Sequence, residues 1–309
     1  MRGPLGIRGS KVLWATLIGA AALTLAVPMV GNDYVTGIGF SLFMWIALAQ
    51  SWIVLSGMAG YISLGHVVFG GLGAYIVVLT YGAVPLWLSI PLAGLVAGVF
   101  AALIGYPVLR VRGPYFVILT FGVAEFVKFG VINIESALGK FSRLLLGAPS
   151  IGELYWVMAV LALIATTMVY AVGHSRLGRG LLAIREDEEA AETLGVPVAR
   201  YKIFGFVLSA VIPGAVGAVL ILRTGYFEAS QAFNPIVSFT VVTMAIIGGS
   251  DDARGPVFGA AFLVLMSELL WANLPQLYMI ILGSLLVGFV LFAPNGIVGL
   301  MTSTRGRPR

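Results

Sequence analysis

The sequence predicts an all-α polytopic membrane protein of about ten transmembrane helices, and three observations predict it. Of 309 residues, 60% are hydrophobic and only 10% charged, against ~25% charged in an ordinary soluble domain. Between Val12 and Leu109 the single formal charge is Asp33. The apolar runs are close to the ~20 residues a helix needs to cross a ~30 Å hydrocarbon layer with its backbone paired internally. A soluble chain of this length would lack the polar groups to clothe its surface. The composition therefore excludes a soluble enzyme, a nucleic-acid binder and a disordered chain. The absence of cysteine excludes disulfides, thiolate metal sites and a cysteine nucleophile.

Taken in order, the expected spans are 12–30, 35–56, 60–80, 84–109, 114–132, 153–173, 203–224, 235–249, 256–274 and 276–293. The first follows Arg2, Arg8 and Lys11; it is long for the apolar core of a signal peptide, and many spans follow, so it is read as an uncleaved helix. The eighth is short, and the last two are divided only by Asn273–Gln276. Charge tests the count. With the amino terminus in the cytoplasm and the sides alternating, Arg110, Arg112, the 174–202 segment, Arg254 and Arg305, Arg307 and Arg309 all fall inside. That is 14 of 18 basic residues, and an even number of spans with both termini cytoplasmic satisfies the positive-inside rule. The chain is read as one transmembrane domain, 1–309, with a cytoplasmic loop at about 174–202.

Several helices are not plain. Residues 57–74 carry six glycines, with Ser63 and His66 among them, a poor continuous helix by propensity. Two explanations compete: close packing of helix backbones at glycine, and a broken helix lining a translocation path, where unwound backbone is tolerated because it faces protein or water. A second glycine-rich stretch, Pro213 to Ala218, lies about half a chain length further on, and could be a trace of an internal repeat. Gly94 and Gly98 form a GxxxG contact face. Two carboxylates fall inside spans, where an ionisable group costs ~2.5–3.5 kcal/mol on insertion scales and asks for a partner. Glu125 has Lys128 three residues on, the spacing for mutual neutralisation. Glu268 has no sequence-local partner, leaving a pathway role and an interhelical hydrogen bond both open.

Residues 175–202 hold 10 of the 31 charges and form the one sizeable hydrophilic segment. Residues 183–194 suit a short helix, with Arg185 and Glu189 four apart, Gly195 as a stop and Pro197 beyond it. Ile184, Ala191 and Leu194 share one face, and small Ala190 and Ala191 leave room for a close partner. A solvated loop helix is the bland alternative; a docking element for a cytoplasmic partner accounts better for a capped amphipathic helix.

These residues carry a resemblance. Glu189-Ala190-Ala191 followed by Gly195 resembles the opening of the EAA loop, through which permease subunits of ABC importers couple to their ATPases. Ser175-Arg176-Leu177-Gly178-Arg179, running on to Ala183-Ile184-Arg185-Glu186-Asp187-Glu188, resembles the LivM-type permeases of branched-chain amino-acid importers. So do Ser63-Leu64-Gly65-His66, Arg112-Gly113-Pro114-Tyr115-Phe116, Gly248-Gly249 with Gly255-Pro256, and Pro294-Asn295-Gly296. The family's Leu-Thr-Gly-Gly signature is replaced by Glu135-Ser136-Ala137-Leu138-Gly139-Lys140, and a Gly-Leu-Gly element by Ser250-Asp251-Asp252-Ala253-Arg254.

The resemblance implies a non-catalytic permease half in the bacterial inner membrane. It implies a homologous second permease, two cytoplasmic ATPase subunits carrying ATP and Mg, and a periplasmic solute-binding protein. Leucine, isoleucine, valine or a related small amino acid is the implied cargo; urea, amides and other small organic solutes are carried by the same class. No G-x-x-x-x-G-K-[ST] phosphate loop occurs, so this chain binds no cofactor itself and ATP is handled by another subunit. Arg185, Glu186, Asp187, Glu189, Ala190, Ala191 and Gly195 are assigned to ATPase coupling, and Ser63, His66, Tyr115, Thr120 and Glu268 to the translocation path. Replacing Ala191 with Trp is expected to uncouple hydrolysis from uptake. An ion-coupled secondary transporter, with Glu125 and Glu268 as ion sites, is the rival from another class; ATPase subunits that copurify with the chain discriminate the two. A membrane-embedded hydrolase lacks any H-E-x-x-H or G-x-S-x-G constellation.

Overall fold

The framework is a bundle of apolar helices whose connections collect at two opposite ends. The computed structural model describes residues 32–140, 142–250, 253–273, 280–281, 283–284, 287–288 and 296–303. The expected spans 12–30 and most of 276–293 lie outside the described residues. In chain order the elements are α1 (Asp33–Ala59), α2 (His66–Thr80), α3 (Leu86–Val108), α4 (Pro114–Ala137), β1 (Arg143–Leu144), α5 (Ile151–His174), α6 (Arg176–Glu186) and α7 (Glu188–Thr193). There follow α8 (Val198–Thr224), β2 (Tyr226–Phe227), α9 (Ala229–Ala232), α10 (Ile236–Gly248), α11 (Gly255–Asn273) and α12 (Gly296–Ser303).

Among the described residues six helices are long and apolar enough to cross a membrane, the sixth counted over Ala229–Gly248; two shorter apolar helices are His66–Thr80 and Gly255–Leu270. The chain is thus an all-helical multi-pass membrane protein. Local chemistry sets several helix ends. Asn32 caps α1 by accepting from the Tyr34 amide at 3.2 Å, and Gly60, at φ +76°, ends it. Ser150 and Glu153 form a reciprocal capping box on α5. Helix α4 runs five residues past its expected end, taking Glu135 and Ser136 into its last turns rather than into an outer loop.

The charged-loop end gathers the segment after α1, the α3–α4 turn, α6, α7 and the start of α8. Lys202 Nζ there donates to the Leu109 carbonyl at 2.8 Å. The opposite end carries the antiparallel β1–β2 ribbon, with Arg143 opposite Phe227. Its anchor is Arg143, which forks onto Glu135 at 2.8 and 2.6 Å while Tyr75 donates to the same carboxylate at 2.8 Å. Helices α1 and α8 are the most enclosed of the long helices, and α4 the least. Trp87, Leu95 and Leu103 of α3 and Ile118, Phe126 and Phe129 of α4 stay exposed, as suits a surface bathed by lipid tails.

The two glycine clusters pack directly on one another. A Cβ at Gly73 would run into the Gly214 carbonyl, and one at Gly217 into the Gly70 carbonyl, so α2 and α8 cross backbone to backbone. Gly94 and Gly98 meet Val211 of α8 in the same manner. Close packing therefore accounts for residues 70–74, while residues 60–65 are non-helical. The span expected at 60–80 is a half-helix preceded by an unwound strand of chain.

Candidate functional site

The expected single helix over 183–194 is two helices. Asp187 adopts an extended backbone, ends α6 and caps α7 with its own carboxylate, accepting from the Glu189 and Ala190 amides at 2.9 and 3.0 Å. A cap between two short helices explains why propensity alone read through it. Gly195, at φ +83°, closes α7, with the Val196 amide donating to the Ala191 carbonyl at 3.0 Å. The predicted common face does not hold. Ile184 and Ala191 are buried, at 4% and 2% exposure, whereas Leu194 is 83% exposed. Ala191 therefore packs inside this chain, and the small residue open to a partner is Ala190, flanked by exposed Glu186, Glu189 and Glu192. A Trp at position 191 would overpack the chain's own interior rather than report on a partner.

Glu188, absent from the residues assigned from sequence, is the hub of this end. Its carboxylate accepts from Lys202 Nζ at 2.7 Å and from the Tyr61 hydroxyl at 2.6 Å, and meets Arg112 Nε at 3.1 Å. Lys202 is itself buried, and its other protons go to the Tyr61 oxygen at 3.0 Å and to the Leu109 carbonyl. Burial pushes the Glu188 carboxyl up, but the Lys202 and Tyr61 hydrogen bonds and the Lys202 and Arg112 charges outweigh it and hold the group below its ordinary value. Two residues before the cap, Arg185 donates from Nη1 to the Gly57 carbonyl at 2.8 Å, its stem lying across Gly60. The charged segment thus grips both sides of the point where α1 ends.

From Tyr61 the chain turns back into the bundle without helical hydrogen bonds, and side chains supply what the helix would have. Ser56 Oγ donates to the Tyr61 carbonyl at 2.8 Å, Trp52 Nε1 to the Ser63 carbonyl at 2.9 Å, and Thr120 Oγ1 accepts from the Leu64 amide at 3.2 Å. Tyr61, Ser63 and Gly65 of this segment are buried in protein, where unwound backbone is tolerated. His66 then opens α2 and shares a 3.0 Å hydrogen bond with Ser51, eight residues above the end of α1, or ~12 Å along the helix axis. The Val67 amide donates to Ser238 Oγ at 3.0 Å, so the first turns of α2 and α10 meet inside the bundle.

Above this junction lies a cavity with about 180 Å³ of free space inside it. Val67, Val216, Leu220, Ile221 and Val241 give it aliphatic walls; His66 lines one part, and Thr224, Tyr226, Glu228 and Gln231 the end toward the ribbon.

Of the residues assigned to the path, His66 alone lines the cavity. Ser63 and Thr120 hold the unwound segment that leads to it. Tyr115 is 74% exposed at the start of α4. Glu268 is hydrogen-bonded by the Tyr34 hydroxyl near the opposite end, the interhelical alternative left open above. Glu125 and Lys128 do pair, at 2.6 Å. Among the described residues no group of His, Asp and Glu could hold a metal ion.

Comparison with known proteins decides the class. The family described as the permease component of branched-chain amino acid transport systems matches residues 34–291. The chain belongs to this family. Among its relatives, the high-affinity branched-chain amino acid transport system permease protein LivM of Escherichia coli is 28% identical over 91% of this chain and 74% of its own length. The nucleoside ABC transporter permease protein NupC of Lactococcus lactis is 28% identical over 45% of this chain and 49% of its own. The fructose import permease protein FrcC of Rhizobium meliloti is 32% identical over 33% and 30%. No solved structure gives a significant match. This permease is accordingly a non-catalytic membrane subunit of an ABC transporter, working in a complex whose ATPase resides on separate subunits.

Proposed function

We propose that this permease forms half of the translocation path of a bacterial inner-membrane importer for leucine, isoleucine, valine or a related aliphatic amino acid. The charged-loop end faces the cytoplasm, where two ATPase subunits bind ATP and Mg. A homologous permease supplies the other half of the path, and a periplasmic solute-binding protein delivers cargo to the ribbon end. The observation that carries this reading is the continuous chain of contacts from α7 through Glu188 and Tyr61 into the unwound segment, and on to His66 at the cavity. When the ATPases close, α7 is dragged; the hub moves Tyr61, and the half-helix α2 changes its angle against α8. Arg185, Glu186, Asp187, Glu189, Ala190 and Gly195 present or shape that handle, Ala191 seats it, and Ser63, Thr120 and His66 relay the motion toward the solute. Tyr115, exposed at the start of α4, keeps its assignment to the path, whereas Glu268 serves as the interhelical acceptor for Tyr34. The aliphatic cavity and the similarity to LivM over 91% of this chain favour amino acids over urea, amides, sugars or nucleosides.

The test is Ala190→Trp in the assembled complex, reconstituted with its ATPases and binding protein. A bulky ring at the exposed position should leave ATP hydrolysis running while leucine uptake falls at least roughly tenfold, the scale of one lost interface anchor. Wild-type uptake by that variant would overturn the docking assignment. Vesicles containing this chain alone that accumulate leucine would overturn the importer reading and restore the ion-coupled rival.

A further inference from the structure

The cavity is chemically lopsided. Along most of its length it offers methyl groups and glycine backbone; its polar groups other than His66 stand at the end toward the ribbon, between Thr224 and Gln231. The hydroxyls and the amide there are already engaged. Thr224 donates to the Ile221 carbonyl at 3.0 Å, Tyr226 donates to Gln231 Oε1 at 2.9 Å, and Gln231 Nε2 donates to Glu228 Oε2 at 3.0 Å. Ser230 donates to the other Glu228 oxygen. Gln231 and Ser230 both donate to Glu228, and Tyr226 reaches it through Gln231, so the rim converges on one carboxylate. Among the described residues Glu228 takes part in no ion pair. It is held by neutral donors alone, half-buried at the lip of an aliphatic chamber.

We infer that Glu228 is a recognition residue for the ammonium group of the solute, with the solute's aliphatic part in the chamber walled by Val67, Val216, Leu220 and Val241. A carboxylate whose hydrogen bonds come from neutral donors retains lone pairs for a cation, and a cation–carboxylate hydrogen bond is stronger than a neutral one. The site takes small aliphatic primary amines, amino acids among them, and discriminates against sugars, nucleosides and simple carboxylic acids. This inference rests on the importer reading but concerns one chemical group within it.

The chain contains no cysteine, so Ala232→Cys, on the cavity wall, is a single reporter in the intact importer, with maleimide labelling read on this chain by mass. Leu220→Cys is a second reporter at another point of the wall. The probes are leucine, 3-methylbutylamine (the same skeleton without the carboxylate) and 4-methylpentanoate (the same skeleton without the amine). Leucine and the amine should slow labelling and the acid should not. Glu228→Gln should raise the amine concentration needed for protection about tenfold, the scale of one charged hydrogen bond, and Glu228→Asp should restore part of it. Equal protection by acid and amine, or unchanged protection in Glu228→Gln, overturns the inference. Should Glu228→Gln fail to assemble, the amine–acid comparison in the parent decides by itself. Absence of protection by every probe, in vesicles that still import leucine on ATP, overturns the inference and leaves the proposed function standing; loss of ATP-driven import from the parent strikes the proposed function instead.

Discussion

At the scale of single residues, the permease concentrates its polar chemistry where one side chain answers for several others. Glu188 is the clearest case. Its carboxyl lies below the ordinary value of 4.5, so the stabilisation it lends is complete above about that pH and is lost as the pH falls through the lower value in the folded state. Thermal unfolding of the purified complex should therefore show a fall in Tm on acidification below pH ~4.5 that Glu188→Gln flattens. At neutral pH the same substitution leaves Lys202 buried without its counter-charge, a loss on the order of 3 kcal/mol, read as a lower Tm than the parent. What made such residues legible was proximity in sequence. Glu125 and Lys128 are three apart and could be paired on paper, whereas Tyr61 and Glu188 are separated by 127 positions. No local pattern distinguishes Glu188 from the acids on either side. Its inward neighbours appear only once the helices are assembled.

At the scale of elements, the glycine-rich stretch is close-packed in one part and unwound in another. Residues 70–74 are a packing face and residues 60–65 are unwound, because α8 brings its own glycines to the first and Ser56, Trp52 and Thr120 reach the second. The sequence displayed both clusters but not their contact. Gly217→Val should force α2 and α8 apart, since even a Cβ there collides with the Gly70 carbonyl; overpacking of this kind costs ~1–3 kcal/mol or more, and the measured outcome should be a lowered Tm with loss of uptake. The break at Asp187 was missed for a related reason: good helix formers surround it, and only its capping geometry divides α6 from α7. Asp187→Ala should cost about 1 kcal/mol of cap stability, seen as faster hydrogen exchange at the Glu189 and Ala190 amides while α6 stays protected.

At the scale of the whole molecule, the apolar composition made the class plain, and the positions of the long spans followed from length and hydropathy, because a bilayer imposes a minimum helix length that a soluble core does not. Which ends face which compartment is a matter of charge. Impermeant maleimide on whole cells should label Lys140→Cys, beside the ribbon, and should reach Glu192→Cys, on α7, only after permeabilisation; the reverse order would invert the proposed orientation. The unwound segment carries a further consequence for how the permease tolerates change. Trp52, Ser56 and Thr120 stand in for main chain there, so a saturating scan of substitutions should find these three positions as unforgiving as the crossing glycines. Exposed positions of α4 near Thr120, such as Ile118 and Phe126, should accept nearly any greasy replacement. Intolerance without solute contact would be the signature of side chains serving as surrogate backbone.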